Sequence, residues 1–121
     1  MEHKTSYQKG IEAENLACKF LLQNNFIIIA KRIKNKAGEI DILAQNNEKK
    51  EDYYIIEVKK RKTLDQAKEA ISQRQITRSI NSFYIYIQEK NLPFENIYIK
   101  AIVISQTKIS MINIVLDEFP Y

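Results

Sequence analysis

EIDILA at Glu39–Ala44 and YIIEVK at Tyr54–Lys59 are two strand-like segments that hold charged residues among apolar ones. Asp41 lies inside the first segment, and Glu57 and Lys59 lie inside the second. An isolated ion taken out of water costs several kcal/mol, so these charges need a partner or a metal. Because strand side chains alternate between the two faces of a sheet, Glu57 and Lys59 are predicted to project the same way.

The polar and charged residues 45–52 between the two segments predict an antiparallel hairpin with a loop longer than a tight turn. A slip of one residue would turn every side chain to the wrong face, so burial of the apolar residues disfavours any register shifted by one residue. The pairs in that register are Asp41 with Glu57, Ile40 with Val58, and Ile42 with Ile56. The two carboxylates then face each other.

Two facing carboxylates repel each other unless a cation or a proton lies between them. Asp41 and Glu57 are therefore a candidate binding site for a hard divalent cation, which takes oxygen ligands. From the spacing alone, the alternative is an edge hairpin with one solvated charged face, in which Lys59 pairs with Glu39 or Glu57.

The composition is ordinary for a globular chain of 121 residues, and a single domain spanning residues 1–121 is predicted. One cysteine, Cys18, excludes an intramolecular disulfide framework and a cysteine-cluster zinc site. The longest apolar run, Phe26–Ala30, is too short to cross a bilayer. We therefore expect a cytoplasmic protein without a membrane partner.

Basic residues outnumber acidic ones by 19 to 15, and the resulting net charge of +4 suits a polyanionic partner. Two basic runs flank the candidate site. They are Lys31, Arg32, Lys34 and Lys36 before it, and Lys59, Lys60, Arg61 and Lys62 at its end. If both runs converge there, they would hold nucleic-acid phosphates around the carboxylates. The alternative is a solvated, lysine-rich rim.

Apolar periodicity predicts two long helices. The first covers about residues 6–23 behind a Thr5–Gln8 capping box, and the second begins after Ser72, with Gln75 as capping partner, and ends at Asn91. The predicted apolar face of the first helix is Ile11, Leu16, Ala17, Phe20 and Leu21, and that of the second is Ile76, Ile80, Phe83, Tyr84 and Ile87.

Five strands are predicted, at residues 26–33, 38–45, 53–60, 97–104 and 109–116, with Gly38 marking a turn. A short helical or irregular stretch follows Thr63. The order α-β-β-β-α-β-β is that of an α/β protein with a mixed sheet flanked by helices. It is the layout of the restriction-endonuclease-like core.

Three short motifs occur in order along the chain: GIEAE at Gly10–Glu14, GEID at Gly38–Asp41, and IEVK at Ile56–Lys59 followed by Arg61. With these motifs the chain resembles the YraN family of bacterial proteins, which is related to Holliday-junction resolvases within the PD-(D/E)xK nuclease superfamily. The resemblance covers about residues 10–84. The central GEID and EVK motifs are fairly specific in combination, whereas either alone is weak.

The resemblance implies a Mg²⁺- or Mn²⁺-dependent endonuclease that hydrolyses phosphodiester bonds in DNA, including branched or junction DNA. Asp41 and Glu57 match the metal ligands, and Lys59 matches the lysine that orients or activates the attacking water. Glu14 matches an acid on the first helix that reaches toward the metal, and Gln75 matches a glutamine on the second long helix. Arg74 stands at a lysine position beside Gln75 and joins the basic runs as a nucleic-acid contact. By analogy with resolvases, the partners are DNA and a second copy of the chain.

The sequence departs from the family pattern in two places besides Arg74. The asparagine usual after the first strand is missing from Ala30–Arg32, and Tyr98–Lys100 replaces a late Arg-Phe-Asp pattern. Glu14 has a structural alternative as an exposed carboxylate paired with Lys9 or Lys19. Two other functions stay open, namely a nucleic-acid-binding module without catalysis and a protein-interaction domain that uses the tyrosine-rich residues 83–86.

Overall fold

The computed structural model describes residues 3–115, which contain three helices and five strands. In chain order these are α1 (Ser6–Gln23), β1 (Phe26–Asn35), β2 (Gly38–Asn46), β3 (Asp52–Lys60), α2 (Leu64–Glu69), α3 (Gln73–Lys90), β4 (Asn96–Ile104) and β5 (Ile109–Asn113). The predicted order is confirmed, and the stretch after Thr63 is the short helix α2. The predicted strand end at Leu116 lies outside the described residues.

The strands form one mixed sheet in the order β1-β2-β3-β4-β5, in which β3 and β4 are parallel and the other neighbours are antiparallel. The parallel pair requires a crossover, and α2 and α3 provide it. β2 and β3 are inner strands, so the alternative of an edge hairpin is wrong. Within residues 3–115, each helix is too short or too polar to span a bilayer.

Helix α1 begins at the predicted capping box, in which Gln8 N–H donates to Thr5 Oγ1 (3.1 Å) and Thr5 N–H donates to Gln8 Oε1 (2.9 Å). Its buried residues are Ala13, Ala17 and Leu21, which repeat every four positions and so lie on one face. Leu16, predicted on this face, is instead 45% exposed. The small alanines let α1 lie close to the sheet, and Leu16 falls outside that stripe.

Helix α3 begins at Ser72, whose Oγ accepts the N–H of Gln75 (3.3 Å), and ends at Asn91 in a left-handed conformation (φ 51°). Both ends were predicted. The buried residues of the helix are Ile76, Ser79, Ser82, Phe83 and Ile87. Tyr84 was predicted on this face but is 48% exposed. Two serines lie on the buried face instead.

The two faces of the sheet carry separate cores. The core under α1 contains Ile42 and Ile56, which pair directly across β2 and β3 as predicted, with Val58 packed against it. The core under α3 contains Ile40, Leu43, Ile55 and Phe83. Ile40 and Val58 therefore pack on opposite faces, and their predicted pairing is wrong.

The physical reason is that β2 and β3 separate beyond the Ile42–Ile56 pair. The backbone pairs of these strands run from Ile42–Ile56 to Gln45–Tyr53, whereas β3 stays paired with β4 as far as Lys60. On the other side of β2, Arg32 lies between the pairs Lys31–Ile42 and Ile33–Ile40 and has a left-handed conformation (φ 54°), which interrupts regular alternation there. Strict alternation therefore fails at Ile40 and Asp41.

The hairpin between β1 and β2 turns at residues 36–37 and is closed by the Asn35–Gly38 pair, so Gly38 does mark the turn. Helix α3 rests directly on this turn. A Cβ atom at Gly38 would lie 2.9 Å from Arg78 Cβ and 3.0 Å from the Arg78 carbonyl oxygen. Only glycine permits this approach without displacing the helix.

Candidate active site

A cleft of about 870 Å³ opens where β2 and β3 separate. Its walls are the first half of α1, the first turns of α3, and the loop after β3. The acids on its surface are Glu12, Glu14, Glu39, Asp41 and Glu57, and the bases are Lys4, Lys9, Lys59, Lys60, Arg61, Lys62 and Arg78. Asp41, Glu57, Lys59, Glu14 and Gln75, predicted from the sequence, thus line one cavity.

Asp41 sits at the point of strand separation. Its Oδ2 accepts the backbone N–H of Val58 (2.8 Å), so the carboxylate takes the place of a backbone partner in the ladder. The pKa of Asp41 is raised to about 7, first by burial and then by the negative charges of Glu57 and Glu14, against the opposing effects of the Val58 hydrogen bond and Lys59. A carboxyl group with such a pKa binds either a proton or a cation readily near neutral pH.

Glu57 is buried on β3 with only 8% of its surface exposed. Its Oε1 lies 3.3 Å from Lys59 Nζ, which confirms that the two side chains project the same way. Burial raises the pKa of Glu57, and the charge of Lys59 opposes this rise. The side chains of Glu57 and Lys59 are 10% and 17% exposed, so this ion pair is not a solvated one.

Glu14 reaches the same cleft from α1, but its direct partner is Arg32. Arg32 Nε donates to both Glu14 oxygens, at 2.9 and 3.1 Å. The alternative pairing of Glu14 with Lys9 or Lys19 is therefore wrong. Arg32, predicted to contact nucleic acid, is tied to α1 and does not line the cleft among the described residues.

Helix α3 contributes Gln75, Arg78 and Ser79 to the cleft. Arg74, which precedes Gln75 on the same helix, is exposed and does not line the cleft. The buried Ser79 hydroxyl donates to backbone carbonyl oxygens, and its Oγ lies 2.8 Å from that of Glu39 and 3.0 Å from that of Gln75. Arg78 Nε donates to the Ala37 carbonyl oxygen (3.3 Å). Sequence reasoning missed Arg78 and Ser79, although their spacing of three and four from Gln75 places them on one helix face.

The two predicted basic runs do not converge. Lys59, Lys60, Arg61 and Lys62 line the cleft, but of the described residues Lys31, Lys34 and Lys36 do not. Lys34 instead pairs with Glu39 (3.3 Å) on the exposed hairpin. Lys4 and Lys9 at the start of α1, which were not predicted, provide the positive charge on the other wall.

The donor set suits a hard cation that keeps part of its water shell. Asp41 and Glu57 offer carboxylate oxygens, and magnesium is commonly bound by one or two carboxylates together with waters and substrate phosphates. Residues 3–115 contain no group of three or more His, Cys, Asp or Glu side chains arranged to hold a metal. A cation here would therefore take its remaining ligands from water or substrate.

Comparison with known proteins defines the class of this α/β chain. The model of the uncharacterised protein family UPF0102 matches residues 13–114. The chain belongs to this family, to which the YraN-like resemblance pointed. The match includes the cleft residues of β2, β3 and α3.

Three UPF0102 proteins illustrate the similarity. The chain is 31% identical to one from Sulfurimonas denitrificans over 111 residues, which cover 92% of this chain and 99% of the relative. It is 36% identical to one from Clostridium botulinum over 115 residues, covering 91% and 92%. It is 40% identical to one from Rhodopseudomonas palustris (strain BisB5) over 79 residues, covering 65% of this chain but only 58% of that relative's length.

Proposed function

We propose that this protein is a metal-dependent endonuclease that hydrolyses phosphodiester bonds in DNA, with branched or junction DNA as the expected substrate. The observation that carries the proposal is the grouping of Asp41, Glu57 and Lys59 at the base of a cleft with basic walls. Buried carboxylates with raised pKa values beside a lysine are costly to the fold, so they indicate a functional site.

The protein groups have separable roles in this proposal. Asp41 and Glu57 would hold Mg²⁺ or Mn²⁺, with Asp41 Oδ2 oriented by the Val58 N–H. When bound, such a cation supplies Lewis acidity toward the scissile phosphate and a counter-charge for the leaving oxygen. Lys59, held beside Glu57, orients the attacking water and offsets the negative charge that develops on the phosphate.

Cations on the walls of the cleft would bind the phosphates that flank the scissile bond. Lys4 precedes α1 and Lys9 lies on it, Arg61 and Lys62 follow β3, and Arg78 lies on α3. Such contacts position a nucleic acid without reading its sequence, which suits an enzyme that selects DNA by shape.

The test is cleavage of a labelled four-way junction and a nicked duplex by the purified full chain, with Mg²⁺ or EDTA. Asp41→Asn and Glu57→Gln should each lower the cleavage rate by about 1000-fold or more, in line with the loss of a group that stabilises the transition state. Asp65→Asn and Glu95→Gln are matched controls, since both residues lie outside the cleft. Equal cleavage by Asp41→Asn and the wild type would contradict the proposal.

A second candidate is a nucleic-acid-binding module without catalysis. It is favoured by the absence, among residues 3–115, of a three-residue metal cluster. It predicts DNA binding that weakens with salt and is the same with and without Mg²⁺. Fluorescence anisotropy of labelled DNA, measured beside the cleavage assay, separates the two candidates. Negligible affinity at low salt would instead favour a protein partner.

A further inference from the structure

Arg32 has a backbone conformation that is unusual for its side chain. It lies within β1 with φ 54°, in the left-handed region that glycine and asparagine accept most readily. A residue such as arginine keeps this conformation only when other contacts offset the cost. The contacts of the Arg32 side chain therefore need an explanation.

Those contacts lie on one face of α1. Arg32 Nε donates to both oxygens of Glu14, and the guanidinium carbon lies 4.8 Å from the ring centroid of Tyr7. Between these two residues, a Cβ atom at Gly10 would lie 3.8 Å from Arg32 Nη2. Residues 7, 10 and 14 share a helix face, so the guanidinium crosses α1 along that face.

Glu14 lies in the same cleft as Asp41 and Glu57, with 12% of its side chain exposed. Its negative charge contributes to raising the pKa of both neighbours, so it lies within electrostatic reach of them. Both of its oxygens nevertheless accept from the same N–H of Arg32. This engagement agrees with the lack, within residues 3–115, of a three-acid metal cluster.

We infer that Arg32 is a positioning residue that holds Glu14 outside the coordination sphere of a cation at Asp41 and Glu57, so that the site provides two carboxylates. The inference rests on the metal site of the proposed function. Release of Glu14 would add a third carboxylate, and affinity for a hard cation increases with the number of charged oxygen ligands. Arg32 thus limits how tightly the site holds its metal.

The test is calorimetric titration of Mn²⁺ into the metal-free full chain. Arg32→Gly removes the side chain and relieves the left-handed backbone, so the variant is expected to fold. It should bind Mn²⁺ roughly tenfold more tightly than the wild type, because a third carboxylate becomes available. Glu14→Gln should stay within about twofold of the wild type, and the double variant should match Glu14→Gln.

Loss of the Arg32 positive charge alone would tighten Mn²⁺ binding in the double variant as much as in Arg32→Gly, whereas damage to the fold would weaken it in both. Urea unfolding of each variant checks that the fold is intact, and Arg32→Asn, which also accepts a left-handed backbone, replaces Arg32→Gly if that variant unfolds. Binding no tighter in the Arg32 variants overturns the inference. A tenfold loss in Glu14→Gln, or a double variant as tight as Arg32→Gly, overturns it as well.

Asp41→Asn separates this inference from the proposed function. If Asp41→Asn loses Mn²⁺ binding while Arg32→Gly binds like the wild type, the inference alone fails. If Asp41→Asn binds like the wild type, the proposed metal site fails. Binding that is undetectable in every variant overturns the inference, and the cleavage assay then decides the proposed function.

Discussion

The two ends of β3 bury acids in opposite electrostatic settings. At its start, Asp52 is 5% exposed, accepts from Asn96 Nδ2 at 3.0 Å and has Lys49 Nζ at 3.9 Å. Near its end, Glu57 is similarly buried but shares a cleft with Asp41 and Glu14. The degree of burial therefore does not distinguish Asp52 from the acids of the candidate site. The difference is that Asp52 contacts an amide and a cation, while Glu57, although paired with Lys59, also raises the pKa of the neighbouring Asp41 through its charge.

The largest effect on stability is expected from removing Lys59. Lys59→Met leaves Glu57 buried without its ion-pair partner, which should lower the free energy of unfolding by about 3 kcal/mol at pH 8. Urea denaturation measures this loss. Lys49→Met is the matched control at the other end, because Lys49 is half-exposed and its pair with Asp52 is long, so the loss should stay within about 0.5 kcal/mol. Equal losses would remove the contrast between the two ends.

A smaller loss is expected at Asp52. Asp52→Ala leaves the amide of Asn96 without its acceptor, which should lower the free energy of unfolding by about 2 kcal/mol. Asn96→Ala should cost a similar amount, and the double variant should cost less than the sum because both changes remove one hydrogen bond. Additive losses in this double-mutant cycle would show that the Asp52–Asn96 bond does not stabilise the start of β3.

Asp41→Asn is expected to act in the opposite direction and to stabilise the metal-free protein. Asparagine keeps an acceptor for the Val58 N–H and removes the charge that burial and Glu57 oppose. At pH 8 the gain should be about 1–2 kcal/mol, because a charge disfavoured in the folded state is lost. A loss of stability at pH 8 would mean that the ionised Asp41 is satisfied, as Asp52 is.

This gain should depend on pH, with a sign that follows from the raised pKa of Asp41. The folded value is about 7 and the ordinary value is 3.8, so the protonated form stabilises the folded state. That contribution is complete below about pH 4 and is lost as pH rises to about 7. The advantage of Asp41→Asn should therefore be small at pH 5 and largest above pH 7, as measured by urea denaturation across this range. An advantage that does not change with pH would contradict the raised pKa.

Local signals explain how much of the fold could be predicted. The Thr5–Gln8 capping box, the Ser72 cap and the end at Asn91 depend on neighbouring residues, and the structure confirms all three. The packing of Ile40 under α3 depends instead on where β2 leaves β3, and alternation along one strand does not contain that information.

The candidate site shows the same division between local and long-range signals. The spacing of Glu57 and Lys59 on one strand correctly predicted their contact. The Arg32–Glu14 contact and the Arg78 contact with Ala37 join distant segments, and neither carries a local pattern. Residues 59–62 of the second basic run line the cleft, but the first run, at residues 31–36, does not, because charge near the site in sequence need not be near it in space.

Gly38 influences the width of the cleft and so the size of the ligand that can enter it. Since α3 rests on the hairpin with no room for a Cβ, this glycine sets the distance between the sheet and the helix that carries Gln75, Arg78 and Ser79. A methyl group at residue 38 would lift the first turns of α3 and move one wall of the cleft away from Asp41. The absence of a side chain at residue 38 thus determines the width of the cleft. The GEID motif therefore supplies both the Asp41 carboxylate and the glycine that sets the width of the cleft around it.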